Sequence, residues 1–157
     1  INLDYIDILN PHIKKTLISK IKSHNIGSYL TLEILESEKV SNFNIVNDFI
    51  AEVKKYGVKI AIDDFGTGFS NYENILNLNI DYIKIDGSLI KKIDEDIYLN
   101  LIKSIVLFSK QQKIKVVAEF VSDLKILRYV KNIGIDYSQG YYIGKPTNIN
   151  ELIEEKE

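Results

Sequence analysis

Short runs of apolar and β-branched residues recur along the chain, at 1–3, 29–32, 58–62, 82–85, 114–118 and, more weakly, 135–137. Each has the length and composition of a strand. Between these runs the apolar residues fall at helical spacing: Ile13, Leu17 and Ile21; Val46, Phe49, Ile50 and Val53; Leu101, Ile105 and Phe108; Ile126, Val130 and Ile133. Such stripes predict amphipathic helices laid on a sheet. The asparagine-rich stretch 69–78 reads as a loop with a short helix. Strands alternating with helices imply a parallel sheet, because parallel neighbours need a crossover connection. Pro11 falls at an expected helix start and Pro146 in an expected loop, and no Gly- or Pro-rich linker divides the chain.

Six such βα units fit two architectures. A doubly wound open sheet is complete with five or six strands, whereas a (β/α)8 barrel needs eight and about 250 residues. The length of 157 residues favours the open sheet. The polar residues favour the barrel, because nearly every strand ends in a carboxylate, lysine or amide: Asn2, Glu33, Asp63, Asp64, Lys84, Asp86, Glu119 and Gln139. An open sheet serves its ligand from a few strands at one switch point, while a barrel draws its site from the ends of most of them. The barrel reading makes the chain an incomplete α/β barrel of TIM type, lacking its first two βα units. The absence of methionine and a start at Ile1, inside an expected strand, likewise read as a piece of a longer protein.

Composition narrows the chemistry. An apolar fraction of 45% with 27% charged residues is an ordinary globular balance. A net charge of −2 gives no general reason to expect a nucleic acid polymer or an anionic membrane as partner. With no cysteine, disulfides and thiolate metal sites are excluded, leaving oxygen ligands and two histidines. No apolar stretch approaches the roughly 20 residues of a membrane span, and no signal pattern opens the chain, so a cytoplasmic setting is expected. The basic residues are almost all lysine, with Arg128 the single arginine, a bias that fits an AT-rich bacterial genome. His12 and His24 fall on an expected surface helix and read as solvent-facing. Tyr141 and Tyr142 read as core or rim rather than as a stacking platform, and the acidic tail 151–157 as a solvated helix end.

Asp63 and Asp64 close an apolar strand and precede Gly66 and Gly68, which permit a tight loop. Alternation along a strand puts Ala61 and Asp63 on one face and turns Asp64 toward the loop, so that diverging carboxylates could hold two cations. The alternative is an Asx turn capping the next helix, which accounts for most single Asp-Gly turns but fits a double aspartate after a buried strand poorly. Lys84 and Asp86 share a face two residues apart. They face a lumen if Ile83 and Ile85 pack under helices, and otherwise form an ion pair on a half-exposed edge strand. Carboxylates at the ends of four strands would repel one another without counter-charge. Hard divalent cations such as Mg²⁺ or Mn²⁺ would supply it, and two of them suit phosphodiester hydrolysis.

These residues lie in strings that resemble a known family. Asp63-Asp-Phe-Gly-Thr-Gly-Phe-Ser, Ile80-Asp-Tyr-Ile-Lys-Ile-Asp-Gly-Ser-Leu-Ile, Val116-Val-Ala-Glu, Gln139-Gly-Tyr-Tyr, Lys145-Pro, Leu32-Glu-Ile-Leu-Glu-Ser and the opening Asn2-Leu strongly resemble the EAL domain, in order and spacing, over essentially the whole chain. The resemblance implies a (β/α)8-type barrel that hydrolyses cyclic di-GMP to linear pGpG with two Mg²⁺ or Mn²⁺ ions, residues 1–157 being the C-terminal majority of one such domain. It further implies that Asn2, Glu33 and Asp63 hold one ion and Asp63, Asp64 and Glu119 the other. Lys84 would contact water or phosphate, Asp86 would support that network, Gln139 would orient water, and Pro146 would lie near a guanine. Glu36 would brace the loop after Asp64, which the family uses to couple dimerisation to activity, so a homodimer and an attached sensory or regulatory domain are implied partners.

Three departures from the family pattern stand out. The signature Glu-Ala-Leu expected before Asn2 is absent, Phe120-Val-Ser122 stands where Gly-Val-Glu is usual, and Asp4 replaces a common serine. They motivate a second reading, a degenerate EAL domain that senses cyclic di-GMP or serves as a scaffold. A kinase, suggested by Asp64-Phe-Gly, would need a glycine-rich phosphate loop and a His-Arg-Asp loop that the sequence lacks.

Overall fold

The structure, a computed structural model, describes residues 1–35, 42–66 and 72–148. Glu36, Gly68 and the acidic tail lie outside the described residues. Six strands form one sheet: β1 (Asn2–Leu3), β2 (Thr31–Leu35), β3 (Lys59–Phe65), β4 (Tyr82–Ile85), β5 (Lys115–Ala118) and β6 (Tyr137–Ser138). The helices between them are α1 (Tyr5–Leu9) and α2 (Pro11–His24), α3 (Phe43–Lys54), α4 (Tyr72–Leu76), α5 (Gly87–Ile90) and α6 (Asp96–Gln111), and α7 (Leu124–Asn132). Every strand pair is parallel and the spatial order follows the chain order without reversal. A doubly wound sheet reverses its order at a switch point. The unreversed order is therefore that of six consecutive units of a barrel wall, and the open-sheet alternative is set aside.

Helix starts follow the side chains that cap them. Asn10 accepts from the amides of His12 and Ile13 at the start of α2, with Pro11 in its first turn. Asp4 forms a capping box with Asp7 on α1, so the replaced serine costs no cap. Asp86 caps α5 through the Ser88 amide, and Asp123 caps α7 through the Ile126 amide. His12 and His24 are exposed on α2, as expected.

One core lies between helices and sheet. The outward residues of the strands, Leu32, Ile34, Ile60, Ile62, Ile83, Ile85, Val116 and Ala118, are buried against Phe49, Ile50 and Val53 of α3 and Ile102, Ile105 and Val106 of α6. On α6 the buried stripe runs through Ile102, Ile105, Val106 and Ser109, while Leu101 is exposed and Phe108 only half-buried. The Leu101, Ile105, Phe108 stripe read from spacing is thus rotated from the true face. Strand boundaries also move: β2 runs on to Leu35 rather than ending at 32, and β3 to Phe65 rather than 62. Tyr29 belongs to a 3-10 turn at Gly27–Tyr29, where a Cβ on Gly27 would lie 1.9 Å from the Tyr56 carbonyl oxygen, so β2 begins at Thr31. The last strand pairs at Tyr137–Ser138 rather than 135–137, because Asp136 instead turns its carboxylate onto the Val116 amide.

The same device fastens the N-terminal ends of two strand pairs. Asp81, before β4, accepts from the Ile60 amide of β3 (2.9 Å) and pairs with Lys54 (2.8 Å) and Lys59 (3.2 Å). Asp136, before β6, accepts from the Val116 amide of β5 (2.9 Å) and pairs with Lys115. Burial alone would raise both carboxyls; the Lys54 ammonium and Ile60 amide, and the Lys115 ammonium and Val116 amide, outweigh it and hold both below the ordinary carboxylate range. Among the described residues no helix is long and apolar enough to cross a membrane.

A group whose folded pKa lies below its unfolded value stabilises the fold above that unfolded value, near 4, and loses its contribution as pH falls. Urea unfolding at pH 7 should therefore show Asp81→Ala less stable by about 2 kcal/mol. The difference from wild type should shrink as the pH is lowered below about 4. An unchanged difference at pH 7 and pH 3 would contradict this role of Asp81.

Candidate functional site

Alternation along the strands sorts residues onto two faces. While Ile83 and Ile85 point into the core, Tyr82 and Lys84 point the other way. So do Thr31 and Glu33 of β2, Ala61 of β3, Val117 of β5 and Tyr137 of β6, which with Gln139 line a cavity of about 290 Å³ inside the wall. Tyr82 and Tyr137 meet there edge to face, with ring centroids 6.0 Å apart.

Lys84 is the centre of this face. Its strand lies between β3 and β5, and it is only 6% exposed, so it is not on a half-exposed edge. Its ammonium pairs with Glu33 (3.2 Å), Asp63 (2.8 Å) and Glu119 (2.9 Å), drawn from β2, β3 and the residue after β5. Burial would lower the Lys84 pKa, but Asp63 and Glu119 overcome that and hold it above the ordinary lysine value. Lys84 is therefore a fixed positive charge at neutral pH. Asp86, which would pair with it in the edge-strand reading, instead caps α5.

The two aspartates do not diverge as strand alternation predicts. The β3–β4 register shifts between Ile62 and Phe65, and Asp64 takes φ 55°, in the left-handed region. This bulge turns Asp64 back, so that oxygens of Asp63, Asp64 and Glu119 all lie within 4.8 Å of one another. The Asp64 amide donates to Asp63 Oδ1 (3.1 Å), a local contact of Asx type that coexists with the Lys84 pair. Burial raises the Asp64 carboxyl above the ordinary range, with the Asp63 and Asp86 charges adding to it. Burial also raises Glu119, and Lys84 only partly offsets it. Four carboxylates thus face one ammonium, Glu33, Asp63, Asp64 and Glu119 against Lys84. This excess of hard oxygen donors fits a divalent cation, and Asp63, Asp64 and Glu119 can hold one.

The remaining expected site residues sit around this centre. Glu33 lies in the middle of β2 rather than at its end, opposite Asn2 of β1 in the register. Gln139 follows β6; its amide donates to the Ala118 carbonyl (2.8 Å) and its carbonyl accepts from the Val121 amide (3.0 Å), which fixes it beside Glu119. Pro146 is exposed in the segment beyond. Tyr141 and Tyr142 are exposed, so of the two placements read for them the rim is right. Phe120 takes φ 52°, a conformation in which glycine is free and a phenylalanine is strained. Ser122 turns its hydroxyl to Asp123 (3.0 Å) and brings no carboxylate to the site. Sequence reasoning missed Tyr82 and Tyr137, although Tyr82 stands two residues before Lys84 and so shares its face. It also missed Lys91, on a cavity beside Glu119, which only the α5 turn places there.

Comparison with known proteins agrees with this geometry. Over 139 residues the chain is 41% identical to "Cyclic di-GMP phosphodiesterase PdeA" of Borreliella burgdorferi, covering 87% of this chain and 20% of that protein. The chain spans about a fifth of the length of the curated relatives it matches. The EAL domain of Mycobacterium smegmatis DcpA superposes with a TM-score of 0.91 at 24% identity, over 99% of this chain and 70% of that one, a likeness of fold. The EAL enzyme Bd1971, in its form bound to cAMP and cyclic di-GMP, superposes with a TM-score of 0.90 at 25% identity, over 100% of this chain and 42% of that one. The fold is accordingly an incomplete barrel of TIM type. With the EAL domain model matching residues 1–146, and with the carboxylates and lysine of its motifs brought together across neighbouring strands, the chain belongs to the EAL domain family.

Proposed function

We propose that this chain is the site-bearing part of a cyclic di-GMP phosphodiesterase, which opens one phosphodiester bond of the cyclic dinucleotide to give linear pGpG. The observation that carries the reading is the convergence of Asp63, Asp64 and Glu119 around the buried ammonium of Lys84. The name of the 41% identical relative supports the substrate. The relatives' greater length supports further domains in the parent protein, and a cytoplasmic nucleotide as substrate fits a cytoplasmic setting.

Asp63, Asp64 and Glu119 would hold one Mg²⁺ or Mn²⁺, and Asn2, Glu33 and Asp63 a second. When bound, such ions supply positive charge that acidifies an attacking water and offsets charge gathering on the phosphate. The chain's own groups provide the rest. Lys84, charged at neutral pH, donates to a phosphate oxygen or to the attacking water. Gln139, fixed by two backbone hydrogen bonds, orients that water, and Asp86 keeps β4 and α5 in place beneath it. Pro146 borders a base. The balance is simple: the water oxygen forms a new bond to phosphorus, the bond to the 3′ oxygen breaks, and that oxygen leaves with a proton from the water.

A second reading, a cyclic di-GMP sensor without turnover, is favoured by Ser122, which supplies no carboxylate where the family usually has one. One experiment separates the two. The chain and its complete parent are incubated with Mn²⁺ and cyclic di-GMP, and the nucleotides are resolved chromatographically. The enzyme reading predicts pGpG, and a loss of more than about 100-fold in Asp63→Ala, since even the partners of metal ligands are worth 10–100-fold. Binding by calorimetry without any pGpG from the parent would establish the sensor, and neither binding nor product would overturn both readings.

The raised carboxyls of Asp64 and Glu119 add a pH dependence. Ionising them destabilises the metal-free fold as pH rises, and a bound cation removes that penalty while displacing protons. Mn²⁺ affinity measured by calorimetry should weaken from pH 8 to pH 5.5, with proton release into the buffer. An affinity that does not change with pH would show that these carboxylates do not bind the ion.

A further inference from the structure

Phe120 follows Glu119 directly, yet the metal and water chemistry gives it no task. It holds a left-handed φ of 52°, which glycine would adopt freely, and the residue is 55% exposed. Backbone strain of this kind clusters at sites that bind or react. The ring is held in place: a Cβ on Gly87 would fall 2.3 Å from it, and the Lys91 ammonium stands 4.7 Å from its centre. Phe120 lines a cavity of about 390 Å³ that also reaches Glu119 and Gln139.

Tyr141 brings a second exposed aromatic ring to the same cavity, with the Lys145 ammonium 5.8 Å from its centre. The segments carrying the two rings are fastened together. The Val121 amide donates to the Gln139 carbonyl (3.0 Å) and the Tyr142 amide to the Val121 carbonyl (3.1 Å). Gly140 packs so closely that a Cβ on it would lie 2.3 Å from the Val121 nitrogen. Two aromatic surfaces, each beside a lysine, with an amide and a carboxylate in the same cavity, match a planar base with hydrogen-bonding edges joined to an anionic phosphate.

We propose that Phe120 is a specificity-determining residue that contacts substrate: its ring, anchored by Gly87 and Lys91, gives one purine base of the dinucleotide a face to stack on, and Tyr141 supplies the second aromatic surface of the same cavity. This rests on the reading of the site as one for cyclic di-GMP. The bulky residue in place of glycine then serves substrate binding, and its backbone strain is offset when substrate is bound.

The test titrates cyclic di-GMP, with Mn²⁺ present, into the wild-type chain, Phe120→Leu and Phe120→Tyr. It is read as KM and kcat where the wild type turns over and as Kd where it only binds, and Mn²⁺ affinity is measured separately. Phe120→Leu, which keeps bulk and loses the π face, should raise KM or Kd about tenfold with Mn²⁺ affinity unchanged, and Phe120→Tyr should recover wild-type values. Phe120→Leu binding cyclic di-GMP as tightly as wild type would overturn the proposal and leave the phosphodiesterase reading standing. Failure of Phe120→Tyr to recover, or loss of Mn²⁺ affinity in Phe120→Leu, would reduce Phe120 to a structural role and also overturn it. A wild-type chain that neither binds nor hydrolyses cyclic di-GMP would remove the reading beneath it as well.

Discussion

An ammonium group cannot be taken out of water alone, and the burial of Lys84 sets the terms for everything around it. Its three carboxylate partners come from three neighbouring segments, so the ion pairs require β2, β3, β4 and the end of β5 to lie side by side in register. The charge does not balance at one to one. With Asp64 folded in beside them, the carboxylates outnumber the ammonium, and Asp64 and Glu119 are held above their ordinary range chiefly by burial, with neighbouring carboxylates adding to it. A site built this way is poised to accept more positive charge.

The scaffold separates that demand from stability by the period of a strand. One set of alternate residues is Ile, Leu and Val, packed under α3 and α6; the other carries Thr31, Glu33, Tyr82, Lys84 and Val117 toward the lumen. The ends of the strands differ in the same sense. At the N-terminal ends, Asp81 and Asp136 find complete sets of partners and fall below the ordinary carboxylate range. At the C-terminal ends burial lifts Asp64 and Glu119 above it.

This division explains what the sequence could and could not reveal. Strand and helix periodicity locates the six strands and four long helices of the described residues, because burial of one face leaves a strong pattern. The polar residues at successive strand ends pointed to a barrel wall, which the unreversed strand order bears out. What periodicity could not reveal is local departure from ideal geometry. Asp64 reaches the site only through the bulge after Ile62 and a left-handed backbone, and regular alternation sends it the wrong way. Of the two readings of Lys84 and Asp86, the ion pair on a half-exposed edge strand fails for a related reason. Asp86 shares its face, but a helix begins at the next residue and takes the carboxylate as its cap. Tyr29 and Leu101 went astray because a close backbone approach and a one-residue rotation of a helix leave no mark on composition.

The dependence of the site on the buried ammonium is read from Lys84→Met by thermal unfolding with and without Mn²⁺. Removing one partner of a buried ion pair costs about 3–5 kcal/mol, because the charges left behind are uncompensated. The account predicts that metal-free Lys84→Met melts well below wild type and that Mn²⁺ raises its Tm by more than it raises that of wild type, the cation taking over the charge that Lys84 supplied. A Lys84→Met chain that melts with wild type in the absence of metal, and gains no more from Mn²⁺ than wild type does, would contradict it.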